Sequence, residues 1–152
     1  VCKGAEPNEN ASSAKRHKQG CDWKELSMNL IAHVEIPVAD LTRAMRFYRT
    51  VFDIEFGDVV EIHESRMAYF PFQEGKDGAS GALAQGDVYV PTRHGAIVYL
   101  SIENIDDVLV KAVACGGEVL FPKTPVNEEI FVAEIADSEG NRIAVQSRRS
   151  GG

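Results

Sequence analysis

No apolar run in this 152-residue sequence approaches the ~18 residues that a membrane-spanning helix needs. Basic charge in excess is missing too. Asp and Glu total 23 against 16 Lys and Arg, a formal charge of -7. That balance argues against a phosphate-backbone partner, which wants a basic patch. Cysteine is scarce: Cys2, Cys21 and Cys115 are the only three. An odd number, at spacings outside the zinc-ribbon and CxxC patterns, points to a reduced, cytoplasmic setting. The first residues lack the apolar core of a secretory signal. The glycine-rich run GASG lacks the lysine and helix of a phosphate loop. What is present is a globular composition, 44% hydrophobic and 26% charged, in a length suited to one domain.

Residues 1–27 are rich in Ala, Ser, Asn and Lys. They carry too little apolar surface to offset the entropy of ordering. They are expected to form a disordered tail or an extension ahead of Met28. The domain is expected over residues 28–150.

From Met28 the patterning is firm. NLIAHVEIPV is β-branched and strand-like. Asp40 suits a helix N-cap before LTRAMRFYRTVF, where Leu41, Ala44, Met45, Tyr48 and Val51/Phe52 recur at helical spacing. Strand-like runs follow in DIEFGDVVEIHE, SRMAYFPFQ and GASGALAQGD. The pattern then starts again. AIVYLSIE reads as a strand, Asn104 caps NIDDVLVKAVACGG, and EVLFPKTPV, IFVAEIA and RIAVQSR complete the series.

The chain therefore spells a βαβββ unit twice, over about residues 29–87 and 95–148. An offset of 64 places Asp40 on Asn104, Leu41 on Ile105 and His33 on Ile97. An offset of 62 places Ala82 on Ala144 in the closing strands. The expected fold is α+β: two modules forming a cupped mixed sheet with helices outside. Strand alternation puts Val34, Ile36 and Val38 on the helix side, and His33, Glu35 and Pro37 on the concave side. In the second module Val98, Leu100 and Ile102 form the core face, opposite Ile97, Tyr99 and Ser101.

The run HVEIPVADLTRAMRFYRTVF resembles the opening of vicinal-oxygen-chelate proteins. These include glyoxalase I, bleomycin-resistance and fosfomycin-resistance proteins, and extradiol dioxygenases. GAIVYLSIENIDD, CGGEVLFPKTPV and DSEGNRIAV resemble the second module of the glyoxalase-like branch. The resemblance spans about residues 29–148. It implies a glyoxalase-like fold, a homodimer, and a small-molecule site on the concave side. In metal-dependent members four side chains, from the first and last strand of each module, hold a divalent ion that acts as a Lewis acid. Here those positions carry His33, Ala82, Ile97 and Ala144. Three of the four cannot ligate, so the usual metal is not expected and no other cofactor is implied. The typical glyoxalase I reaction, which needs that metal, is not expected either.

Three readings of His33 stay open: a metal ligand, a pocket group paired with Glu35, and a strand histidine with no role. A general acid/base role is chemically open to it. A divalent ion would need a non-standard site drawing on Glu61, His63 or His94. Gln85, Tyr99, Ser101, Gln146 and Arg148 are candidates to line the cavity, a neutral hydrogen-bonding wall suited to an organic ligand. The face of Glu134 is not decided by the pattern. Two functions compete: a metal-independent binder of a small organic molecule, as in bleomycin resistance, and a lyase, isomerase or dioxygenase using a non-standard site that includes His33. A protein-interaction domain with a closed cavity is a third.

Overall fold

The structure is a computed structural model that describes residues 30–149. The expectation for residues 1–27 lies outside the described residues. Strand β1 (His33–Pro37) leads into helix α1 (Leu41–Phe52). Strands β2 (Val60–Ile62), β3 (Ser65–Tyr69) and β4 (Ser80–Gln85) complete the first module. The second repeats it with β5 (Val98–Ser101), α2 (Ile105–Ala114), β6 (Glu118–Pro125), β7 (Ile130–Ala136) and β8 (Arg142–Arg148). The strand orders are β1-β4-β3-β2 and β5-β8-β7-β6. In each sheet the first strand pairs parallel with the last, and the other pairings are antiparallel. The fold is α+β in two modules, as the repeat indicates. The cup consists of two separate four-stranded sheets rather than one continuous sheet.

Both helices begin where the sequence places their caps. The Asp40 side chain accepts from Arg43 N at 2.9 Å, and Asn104 accepts from Asp106 N and Asp107 N. These bonds satisfy N–H groups that a helix start leaves open. Strands are shorter than the runs suggest. DIEFGDVVEIHE contributes only Val60–Ile62, because Asp53 takes a left-handed C-cap (φ 51) and residues 54–59 have no regular structure. SRMAYFPFQ stops at Tyr69, two residues before Pro71.

The helix-facing sides share one core. Leu41, Ala44, Phe47, Tyr48 and Val51 of α1 pack with Ile36 and Leu83. Ile105, Val108 and Ala112 of α2 join the same cluster with Ile135, Ile143 and Val145. Each such Leu, Ile, Val or Phe side chain contributes about 1.5–3 kcal/mol when fully buried, and each alanine less.

The turn between β7 and β8, DSEGN, fastens the second module to the first. Asp137 accepts from the buried Tyr48 hydroxyl at 2.9 Å and from Asn141 Nδ2 at 2.9 Å. Asn141 Nδ2 also donates to Pro37 O at 2.8 Å. Burial and the Asp137 carboxylate push the Tyr48 phenol well above its usual pKa, so it stays a donor. Glu139 accepts from Ala39 N, Asp40 N and the Arg43 guanidinium.

Partial burial pushes the Glu139 carboxyl up, but the bonds from Arg43, Asp40 N and Ser138 outweigh it and hold its pKa below the usual range. A folded-state pKa below the unfolded one stabilises the fold above the unfolded value, about 4.3. That contribution disappears as pH falls through the folded value. Replacing Glu139 with Gln is expected to flatten the fall in stability between about pH 5 and the acid limit. Urea unfolding at a series of pH values reads the slope; an unchanged slope would reject this role.

Candidate functional site

Strand register decides which side chains share the concave face. His33, Glu35 and Pro37 of β1 lie beside Ser80, Ala82 and Ala84 of β4. Met67 and Tyr69 of β3 adjoin Ala84 and Ala82. Met67, Ala82 and Ala84 form a small apolar floor of their own, joined by Ile62 and Tyr89. In the second module Tyr99 lies beside Ala144 and Ser101 beside Gln146. Glu134 adjoins Ala144 on that same face.

A connected polar cluster stands on the first module's floor. His33 Nδ1 lies 2.7 Å from Ser80 Oγ, and Ser80 Oγ lies 3.0 Å from Ala32 O. His33 Nε2 is 3.9 Å from Glu35 Oε1. Glu35 Oε2 accepts a 2.6 Å hydrogen bond from the Tyr89 hydroxyl. That bond, with some desolvation, raises the Tyr89 pKa, so the phenol remains the donor. The ring of Tyr69 sits 5.9 Å from that of His33. About a third of the His33 and Glu35 side-chain surfaces is open to solvent, 33% and 34%.

Two recesses border this face. One of about 460 Å³ opens at the C-terminal ends of the parallel pair β5 and β8, lined by Ser101, Glu103, Gln146 and Arg148 among others. A smaller cleft of about 200 Å³ runs between β1 and the second module, past Glu35, Thr92, Asn141 and Arg142. His33 lines neither.

The sequence-derived candidates divide accordingly. His33 and Glu35 come together on one module, and Tyr99, Ser101 and Gln146 on the other. Gln85 does not join them, and the expectation that it lines the cavity is corrected. It follows Leu83 on the helix side of β4, accepts from Leu41 N at 3.3 Å and donates to Ala39 O at 3.1 Å. It serves the start of α1. Tyr89, Ser80 and Tyr69 belong to the site although no motif marks them. The pattern leaves the face of Glu134 undecided; its place beside Ala144 puts it on the concave face, where both contacts to Arg142 are 2.7 Å, and Arg142 is the partner no motif marks. Its alternation with Ala144 and Gln146 was the available signal.

The four positions that hold the divalent ion in chelating relatives do not fit one here. Ala82, Ile97 and Ala144 have hydrocarbon side chains with no lone pair to give, and one imidazole is too few. Among the described residues no three His, Cys, Asp or Glu side chains are gathered closely enough to hold a metal. His63, at a left-handed turn position (φ 45), and His94 are both exposed.

The family model for the glyoxalase/bleomycin resistance protein/dioxygenase superfamily matches residues 30–145. The chain belongs to this superfamily. Solved structures agree on the fold. A glyoxalase family protein from Bacillus cereus is 15% identical with a TM-score of 0.63, the match covering 83% of this chain and 99% of that one. A glyoxalase/bleomycin resistance protein/dioxygenase domain from Frankia is 19% identical with a TM-score of 0.62, covering 83% and 96%. Glyoxalase I from Zea mays is 16% identical with a TM-score of 0.59; the match covers 76% of this superfamily member and 45% of the maize chain. This chain thus spans about half the length of the maize enzyme. No curated protein matches its sequence. Among the described residues, no helix of this superfamily member is long and apolar enough to cross a membrane.

Proposed function

We propose that this protein binds a small organic molecule on the concave side of its sheets, without the divalent ion used by chelating relatives. One observation carries the reading: hydrocarbon side chains stand at Ala82, Ile97 and Ala144, where an ion would need donors. Above the buried floor of Met67, Ala82 and Ala84, the face offers apolar area from Val60, Phe121 and the rings of Tyr69 and Tyr99, with polar groups at its edges. That mix suits an organic ligand more than a metal chelate. The role is then sequestration, of the kind that the words bleomycin resistance denote. Exposed Val60, Tyr69, Tyr99 and Phe121 favour a second copy of the chain covering the open face. Cys115, without a disulfide partner among the described residues, fits a reducing, cytoplasmic compartment.

Metal analysis of protein purified without chelators tests the reading. The expected content is far below one divalent ion per chain, and thermal stability is expected not to change on adding EDTA. One tightly held ion per chain would overturn it.

A second reading has its own support in the cluster of His33, Glu35 and Tyr89. An imidazole close to a carboxylate is an arrangement suited to acid/base chemistry. On that reading the protein is a lyase, isomerase or dioxygenase. His33→Ala would then abolish turnover of its substrate without lowering the unfolding temperature. Full activity in that variant would remove His33 from the chemistry.

A further inference from the structure

Ser80 has a single hydroxyl hydrogen, and two acceptors lie within reach. Its Oγ is 2.7 Å from His33 Nδ1 and 3.0 Å from Ala32 O. If the hydroxyl donated to Nδ1, two oxygens with no hydrogen between them would face each other at 3.0 Å. If Nδ1–H donates to Oγ and Oγ–H donates to Ala32 O, every contact is matched. A carbonyl can only accept, so it decides the direction of the chain of bonds. The neutral ring then carries its hydrogen on Nδ1. Its Nε2 is left with a lone pair on the concave face. Glu35 Oε1, at 3.9 Å, is too far to compete for a hydrogen there, and Glu35 Oε2 is already engaged by Tyr89.

We propose that Ser80 is a positioning residue that fixes His33 as a hydrogen-bond acceptor toward the concave face, so that the ligand meets it with an O–H or N–H donor. The inference rests on the reading of that face as the ligand site. It narrows the ligand to a protic molecule, such as a phenol, an enol, an amide or an alcohol. A ligand offering only carbonyl or carboxylate oxygen at that point would face a lone pair. The neighbouring Glu35 carboxylate adds to the same preference, because it too can only accept while ionised.

Nitrogen-15 spectroscopy of the imidazole ring in the ligand-free protein, in mildly alkaline buffer, reads the tautomer. The expected spectrum shows hydrogen on Nδ1. In Ser80→Ala the two ring nitrogens are expected to exchange character, with the hydrogen moving toward Nε2. Ser80→Thr, which restores the hydroxyl, is expected to return it to Nδ1. Hydrogen on Nε2 in the wild-type protein, or a Ser80→Ala spectrum identical to it, would overturn the proposal. A purely structural serine would change stability without moving the tautomer. Because no ligand is involved, failure here leaves the ligand-site reading standing. One divalent ion per chain in the metal analysis would defeat that reading, and recording the ring spectrum on metal-free protein keeps the two results separate.

Discussion

Replacing Asp137 with alanine is expected to lower stability by about 4 kcal/mol, the largest effect of any single polar substitution in the described fold. Asp137 is 3% exposed and collects donors from two modules. Tyr48 Oη and Asn141 Nδ2 bond its Oδ2, and Glu139 N and Asn141 N bond its Oδ1. Truncation leaves Tyr48 Oη, Glu139 N and Asn141 N without a partner and Asn141 Nδ2 with Pro37 O alone. Buried donors left without partners lose about 1–3 kcal/mol each in the worst case, and relaxation or entering water recovers part of it. Tyr48→Phe removes one bond and leaves the other three, so about 1–1.5 kcal/mol is expected. Urea unfolding measures both, as a shifted midpoint at constant slope. A loss below about 1 kcal/mol for Asp137→Ala would show that the turn is not the fastening that the hydrogen bonds describe.

The second large effect is steric. Gly117→Ala is expected to lose about 2–3 kcal/mol. A Cβ there would lie 2.7 Å from Ala136 O, 3.0 Å from Ala112 O and 3.0 Å from the ring of Phe47. The first two are backbone atoms of β7 and α2, which cannot step aside as a flexible side chain would. Gly117 N also donates to Ala112 O at 2.8 Å, so moving the chain would stretch that bond. The control is Gly57→Ala, where nothing lies within 4 Å. It should change stability by less than about 0.5 kcal/mol. Equal effects at the two positions would mean that close packing is not what Gly117 provides.

The repeat and the strand faces were legible because they are local. Asp40 and Asn104 announce two helix starts 64 residues apart, and alternation from Val34 to Val38 needs only neighbouring residues. Ile97, Ala82 and Ala144 follow from the same repeat. What escaped depends on partners far along the chain. Gln85 looked like an inward residue until its pairing with Arg66 put it on the helix side. Tyr89 sits in a loop past β4, and only the closing of β1 on β4 brings it to Glu35, 54 residues away in sequence. The bond from Asn141 to Pro37 crosses 104 residues, and no periodicity foreshadows it.

That crossing also orders the birth of the molecule. The two closing turns are not equivalent: DSEGN bonds the first module, while among the described residues no side chain of residues 75–79 bonds the second. A chain leaving the ribosome makes its first module early, but Tyr48 waits without its carboxylate and the N-terminal end of α1 without its acid. Residues 137–148, which begin to emerge 89 residues after Tyr48, supply both, and they also insert β8 between β5 and β7. Loss of the segment from Asp137 onward would therefore damage the oldest part of the nascent protein as much as the newest.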